Sequence, residues 1–183
     1  ADVGEFVEVA GPAGTDLSNY TISLYNGSDG ELYGSNDTFP LSGTIDDEGS
    51  GVGAIVISLP ANGLQNGGPD GIALSKSGSG DIQFLTYEGV ISNAVDGPAM
   101  NLTSEDIGVS ESNSTTTIGS SLEYDETSMV WVVITDDTPG DFAQGPLLSS
   151  ENFNTVKFSM FPNPTSLGYA TITSNNNEAI QAQ

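Results

Sequence analysis

Carboxylates are the main chemically active side chains of this sequence. Its 183 residues include 25 Asp or Glu and two basic residues, Lys76 and Lys157, with no His, Cys or Arg. Ser-His-Asp and Cys-His catalysis, His- or Cys-ligated zinc and disulfides therefore lack the residues that they require. Two roles remain possible for the carboxylates. They could bind calcium through their oxygen atoms, or two of them could act as the paired acids of a glycosidase.

The best calcium candidate is an acidic loop before Gly49-Ser50-Gly51, formed by Asp46, Asp47 and Glu48. Asp136-Asp137 and the turn Ser104-Glu105-Asp106 are weaker candidates. None of these has the EF-hand spacing or the Gly-Asp nonapeptide repeat. Three adjacent acids also form hydrated surface tips, so both interpretations stay open. Calcium is the candidate ligand, and no other cofactor is expected.

A glycosidase needs two carboxyl groups that flank the sugar. Two candidates, Glu5 and Glu8, share a predicted strand, and the others lie in predicted loops: Asp96, Glu105, Asp106 and Glu111. A sugar cleft generally also needs aromatic platforms, but the single tryptophan, Trp131, lies in an apolar run at 129–134 that predicts a buried strand. We therefore predict that the chain is not an enzyme.

The charge excludes several partners. The formal net charge is −23, whereas nucleic acids and anionic lipids are bound through Lys and Arg. No segment has the roughly 20 apolar residues of a membrane span, so we expect no membrane insertion. Repulsion between like charges destabilises a folded surface and is screened by salt, which favours an exported protein in a saline exterior.

The elements that must position these residues are predicted to be strands. The sequence is rich in Gly, Ser, Thr and Asn and poor in helix formers, and its apolar residues alternate in short runs between turn signals. The clearest run, 21–25, ends in Asn26-Gly27. Further strands are predicted at 5–10, 52–59, 71–76, 82–87, 121–125, 129–135, 156–161 and 169–174. This pattern predicts an all-β, immunoglobulin-like antiparallel β-sandwich.

The strand pattern lapses after Thr138-Pro139-Gly140 and resumes at Val156. We therefore predict a main domain at residues 1–140, a linker at 141–155 and a second, incomplete β-unit at 156–183.

Several blocks of the main domain resemble the bacterial branch of the lamin tail domain family. They are Glu5-Phe6-Val7-Glu8, Gly14-Thr15-Asp16-Leu17-Ser18, Leu24-Tyr25-Asn26-Gly27, Pro69-Asp70-Gly71-Ile72-Ala73-Leu74, Asp96-Gly97-Pro98-Ala99, Asp106-Ile107-Gly108, Trp131 and Thr138-Pro139-Gly140. The resemblance implies an immunoglobulin-like β-sandwich. Bacterial members usually carry one more strand before the first block, and this chain begins at Ala1. We therefore expect another segment or a partner to lie at the outer edge of the first strand.

The second unit resembles the start of the type A C-terminal sorting domain of the type IX secretion system. The residues that carry this resemblance are Lys157-Phe158-Ser159-Met160-Phe161-Pro162-Asn163-Pro164-Thr165, Gly168 and Ala170-Thr171-Ile172. Pro162 and Pro164 fix their own φ and extend the residues before them, so Phe161–Pro164 forms a stiff element. Asn-Pro is also a common turn initiator in β-proteins, and that interpretation stays open.

Together the resemblances imply a non-catalytic module exported through the periplasm and outer membrane, then secreted or held on the cell surface. The implied partners are the outer-membrane shuttle and translocon, and the implied sorting residues are Phe161, Pro162, Asn163, Pro164 and Gly168. An extracellular binding or adhesion role would follow export. The alternatives are a calcium-stabilised surface adhesin and an accessory domain of a larger extracellular hydrolase or nuclease.

Overall fold

The part of the chain that the structure describes is all-β. The computed structural model describes residues 4–49, 51–65, 67–110, 116–117, 119–125 and 128–141, and the backbone of residues 159–160. None of these residues lies in a helix, so none belongs to a helix that could cross a bilayer. The all-β prediction is confirmed over these ranges.

Eleven strands are described, numbered in chain order: β1 (Phe6–Pro12), β2 (Tyr20–Asn26), β3 (Glu31–Leu32), β4 (Thr38–Pro40), β5 (Val52–Ser58), β6 (Asp70–Lys76), β7 (Ile82–Tyr87), β8 (Glu105–Asp106), β9 (Ser121–Asp125), β10 (Val130–Ile134) and β11 (Ser159–Met160). All described strands of five residues or more were predicted from alternation, with bounds within about two residues. The sequence did not predict β3, β4 and β8, which are too short to show a period. The strand predicted at 169–174 lies outside the described residues.

One sheet has the order β11-β1-β5. β1 and β5 are antiparallel along their whole length, from Phe6 opposite Ser58 to Pro12 opposite Val52. On its other edge β1 pairs with β11, with Val9 opposite Met160 and Ala10 opposite Ser159. The neighbour expected at this edge is therefore a two-residue segment that immediately precedes Phe161.

The larger sheet has the order β3-β2-β6-β7-β8, and β4 also pairs with β2. β2 and β3 form a hairpin in which the Gly30 N–H donates to the Asn26 carbonyl at 2.8 Å. Gly27 in this turn has no room for a side chain, because a Cβ atom there would overlap the Pro69 carbonyl. The β7–β8 pairing is parallel, a departure from the purely antiparallel arrangement that was predicted.

The two sheets pack against each other through one hydrophobic core, as in a β-sandwich. β1 contributes Val7 and Val9, and β2 contributes Ile22 and Leu24, which are the alternate residues of each strand. The larger sheet is also covered on its opposite face. There Tyr25 and other residues of β2, β6 and β7 pack against residues 88–104 through Ile91, Ala94 and Ala99.

The β9–β10 hairpin adds Trp131, only 7% exposed, to the main core. The prediction that the whole run at 129–134 is buried is wrong. Met129 and Val130 are 67% and 51% exposed, and Val133 is also exposed. Trp131 is the one buried residue of β10, and Val133, on the same side of the strand as Trp131, is exposed, so the hairpin covers the core at Trp131 and leaves Met129, Val130 and Val133 open to solvent.

Candidate functional site

The acidic loop uses its carboxylates to hold its own backbone. Asp47 Oδ1 accepts hydrogen bonds from the N–H groups of Gly49 at 2.9 Å and Gly51 at 3.0 Å. Glu48 Oε1 accepts from the Ala54 N–H at 3.0 Å. Over the described ranges, no three or more acidic, His or Cys side chains form a group suited to a metal ion. Calcium binding by Asp46, Asp47 and Glu48 stays a prediction, and Asp47 and Glu48 already have a structural role.

Four of the six carboxylates considered for catalysis bind backbone groups, whereas Glu105 has a buried Oε2 without a hydrogen-bond partner among the described residues. Glu5 accepts from the Gly63 N–H at 2.7 Å, and Glu8 accepts from the Gly140 N–H at 2.8 Å. Asp96 and Asp106 likewise accept from the backbone of Leu32 and Gly108, at 2.9 Å each. Glu105 and Asp106 lie in β8 rather than in the predicted loop, and Glu111 lies outside the described residues. These contacts give each of the four carboxylates a role in fixing the fold.

Burial raises the pKa of four described acids, which are Glu105, Glu123, Glu8 and Asp70. Desolvation raises the pKa of Glu8 from its ordinary value of 4.5, the hydrogen bond from Gly140 opposes this, and the neighbouring acids Glu48 and Glu123 raise it further. Asp70 is 3% exposed, and desolvation likewise raises its pKa against the opposing hydrogen bond from Gly27. Glu8 and Asp70 lie where distant segments meet, so their ionisation affects stability.

The predicted sorting residues Phe161, Pro162, Asn163, Pro164 and Gly168 lie outside the described residues. The nearest described segment is β11, which places the chain just before Phe161 at the edge of β1. The predicted linker is described only at Asp141.

A polar pocket lies where the β3–β4 connection meets the segment after β5. Its cavity volume is about 270 Å³, and its lining includes Tyr33, Ser35, Asn36, Asn62, Gly63 and Gln65. Among the described residues that line it, none carries a charge. Amide and hydroxyl groups, which both donate and accept hydrogen bonds, therefore dominate its chemistry.

The wall of this pocket is fixed to the domain on two sides. Glu5 binds the N–H groups of Gly63 at 2.7 Å and Leu64 at 3.3 Å. The Tyr33 hydroxyl accepts from the Gln65 N–H at 3.2 Å, and the Tyr87 hydroxyl donates to the Gln65 carbonyl at 2.8 Å. Burial raises the pKa of Tyr33 to about 12, so the hydroxyl stays neutral at physiological pH. These contacts hold the segment in one position before any ligand arrives.

No pattern in the sequence predicts this pocket. Its residues come from Gly34-Ser35-Asn36-Asp37 and Pro60-Ala61-Asn62-Gly63, which are both ordinary turn sequences. These sequences predict two turns. They do not predict that the two turns meet, because the pairing of β2, β6 and the strands beside them brings the turns together.

Comparison with known proteins gives the site no assignment. No family model, no curated protein and no solved structure matched the chain. The lamin tail and sorting-domain resemblances therefore stay predictions.

Proposed function

We propose that the chain is a secreted, non-catalytic β-sandwich module of the lamin tail type, exported as cargo of the type IX secretion system. The observation that carries this proposal is the Phe161-Pro162-Asn163-Pro164 element, which follows a β-domain and resembles the opening of a type A sorting domain. After export the module has a binding or adhesion role at the cell surface or in the medium.

The position of the motif supports the division into cargo and signal. The main core already includes Trp131 of β10, and the Gly140 N–H is bonded to Glu8 of β1 at 2.8 Å. The described domain thus joins its first and last long segments before the linker begins. A cargo domain with this arrangement can fold around its own core, and β11, which belongs to the predicted second unit and precedes the proline-containing element, pairs with the edge of β1.

The carboxylate contacts support a non-catalytic role. A catalytic acid or base must reach the reacting group of a substrate. Glu5, Glu8, Asp96 and Asp106 instead accept hydrogen bonds from backbone N–H groups. Their replacement should therefore affect folding before it affects any chemistry.

The stiffness of the motif suits recognition by the shuttle and translocon of the outer membrane. Two prolines restrict four consecutive residues, so little conformational entropy is lost when a receptor binds them. Phe161 supplies an apolar anchor, and Gly168 lies just before the strand predicted at 169–174.

Secretion of a double variant tests the proposal. In a bacterium with a type IX system, the full-length protein carrying Pro162→Ala and Pro164→Ala should accumulate in the periplasm, while the unmodified protein reaches the surface or medium. The matched control is Pro98→Ala with Pro139→Ala, because both of these prolines are exposed in the described domain. Normal secretion of the first variant would overturn the export proposal.

A further inference from the structure

The polar pocket described above has the size of a site for one small ring. Its volume of about 270 Å³ is just below the range of about 300–1,000 Å³ that is typical of pockets for drug-sized ligands. Such pockets are mostly apolar, whereas this one presents the amide side chains of Asn36, Asn62 and Gln65 with the Ser35 hydroxyl. A ligand rich in hydrogen-bonding groups fits this lining better than an apolar one.

Two of the amides occupy backbone positions that favour glycine. Asn36 has φ 51° and Asn62 has φ 56°, both in the left-handed region. Glycine would adopt this conformation with less strain, and asparagine is the commonest alternative. Strained positions of this kind cluster at ligand sites. What asparagine adds over glycine at both turns is a side-chain amide at the pocket wall.

Charge selects the class of ligand. An anion would be repelled, because the chain has a net charge of −23 and Glu5 lies directly behind the pocket wall. A cation would have no ion-pair partner among the described lining residues, and Glu5 behind them is already bonded to the Gly63 and Leu64 N–H groups. A neutral ligand avoids both penalties. Its hydroxyl groups, as donors and acceptors, would match the amide and hydroxyl groups of the wall.

We propose that this pocket binds a single neutral sugar ring, as a monosaccharide or as one unit of a polysaccharide. The wall segment held by Glu5, Tyr33 and Tyr87 preorganises the site, so binding requires little rearrangement of the backbone. This inference rests on the binding role proposed above and is independent of the export route.

The test is an NMR titration of the full 183-residue chain. The probes are glucose, galactose, mannose and N-acetylglucosamine in the millimolar range, with glucuronate and glucosamine as charged comparators. At least one neutral sugar should shift the amide resonances of Asn36, Gly63 and Gln65 saturably. The charged comparators should bind at least tenfold more weakly than the neutral sugar that binds.

Three variants keep the test specific. Asn36→Gly removes an amide while preserving the left-handed backbone, and Gln65→Ala removes another exposed amide; each should raise the Kd for the sugar about tenfold or more. Asn101→Gly is the matched control, because Asn101 is exposed with φ 68° and is not among the residues that line the pocket. Its Kd and the melting temperatures of all three should stay close to those of the unmodified protein.

The outcomes separate the two proposals. Failure of every neutral sugar to give saturable shifts overturns the pocket assignment. A Kd that is the same in both pocket variants as in the unmodified protein also overturns it. If sugar binding persists in both variants with shifts elsewhere, the binding role survives and the pocket assignment fails. Secretion of the proline variants bears on the export route alone.

Discussion

Two buried serines should respond in opposite ways to the same substitution. Ser104 is 6% exposed; its Oγ accepts from the Ile91 N–H at 2.9 Å and shares a hydrogen bond of 2.8 Å with Thr86 Oγ1. Ser23 in β2 is 0% exposed, and its Oγ has no hydrogen-bond partner in the described part of the chain. Ser104 therefore satisfies a buried backbone group, whereas Ser23 buries an unpaired hydroxyl.

The magnitudes follow from these partners. Ser104→Ala leaves the Ile91 N–H without its acceptor, which costs about 1–3 kcal/mol, so we expect a loss of about 2 kcal/mol in the free energy of unfolding. Ser23→Ala removes a hydroxyl whose unpaired burial costs about 1–3 kcal/mol, partly offset by the small cavity, so we expect a gain of about 1 kcal/mol. At about 2–4 °C per kcal/mol for a chain of this size, the melting temperatures of the two variants should differ by about 6–12 °C.

Urea unfolding followed by tryptophan fluorescence measures both variants directly. Trp131 is the single tryptophan and is 7% exposed in the main core, so its emission reports on global unfolding. The slope of the free energy against urea should be unchanged, since neither substitution alters the surface exposed on unfolding. Equal destabilisation by the two substitutions would refute this reasoning, as would a neutral Ser104→Ala.

Four further predictions concern charge and backbone space. Because desolvation raises the pKa of Glu8, the stability that Glu8 contributes falls as pH rises above 4.5. Glu8→Gln should remove this fall. A urea midpoint that depends on pH in the same way in the variant and the unmodified protein would contradict this prediction. Stability at 0.5 M NaCl should exceed stability at 10 mM NaCl, because at 10 mM the Debye length is about 30 Å and the surface charges repel one another with little screening. Equal urea midpoints at the two salt concentrations would exclude self-repulsion. Gly27→Ala should lower the melting temperature more than Gly34→Ala, which has open space and costs about 1 kcal/mol for its positive φ; similar losses would contradict the overlap with Pro69. If Asp46, Asp47 and Glu48 bind calcium, millimolar calcium should raise the melting temperature more than millimolar magnesium does. An equal rise with the two ions, or no rise, would reject calcium binding by these residues.

Local pattern was sufficient for the long strands. In β2, alternation from Tyr20 to Asn26 with Asn26-Gly27 behind it specifies both the strand and its hairpin turn. The same pattern could not show that residues 88–104 cover the second face of this sheet. Nor could it show that β10 would keep an open face, because periodicity indicates which residues share a face and not what lies on it.

The contacts that form the pocket are long-range and had no local signal. Glu5 is bonded to Gly63 and Leu64, and Tyr33 to Gln65, across many intervening residues. Each partner is an ordinary acid, tyrosine or turn residue when the sequence is considered alone. Only the pairing of β1 with β5 and of β2 with β6 brings these groups to one place.

The short pairing between β1 and β11 has a consequence for maturation. Under the proposed export route, proteolysis before Ser159 would detach the segment that covers the main chain at Val9 and Ala10. The amide and carbonyl groups released there would become a template for a strand from a second molecule. If the export proposal holds, removal of the signal would then leave the module with an open strand edge at which a second copy could pair.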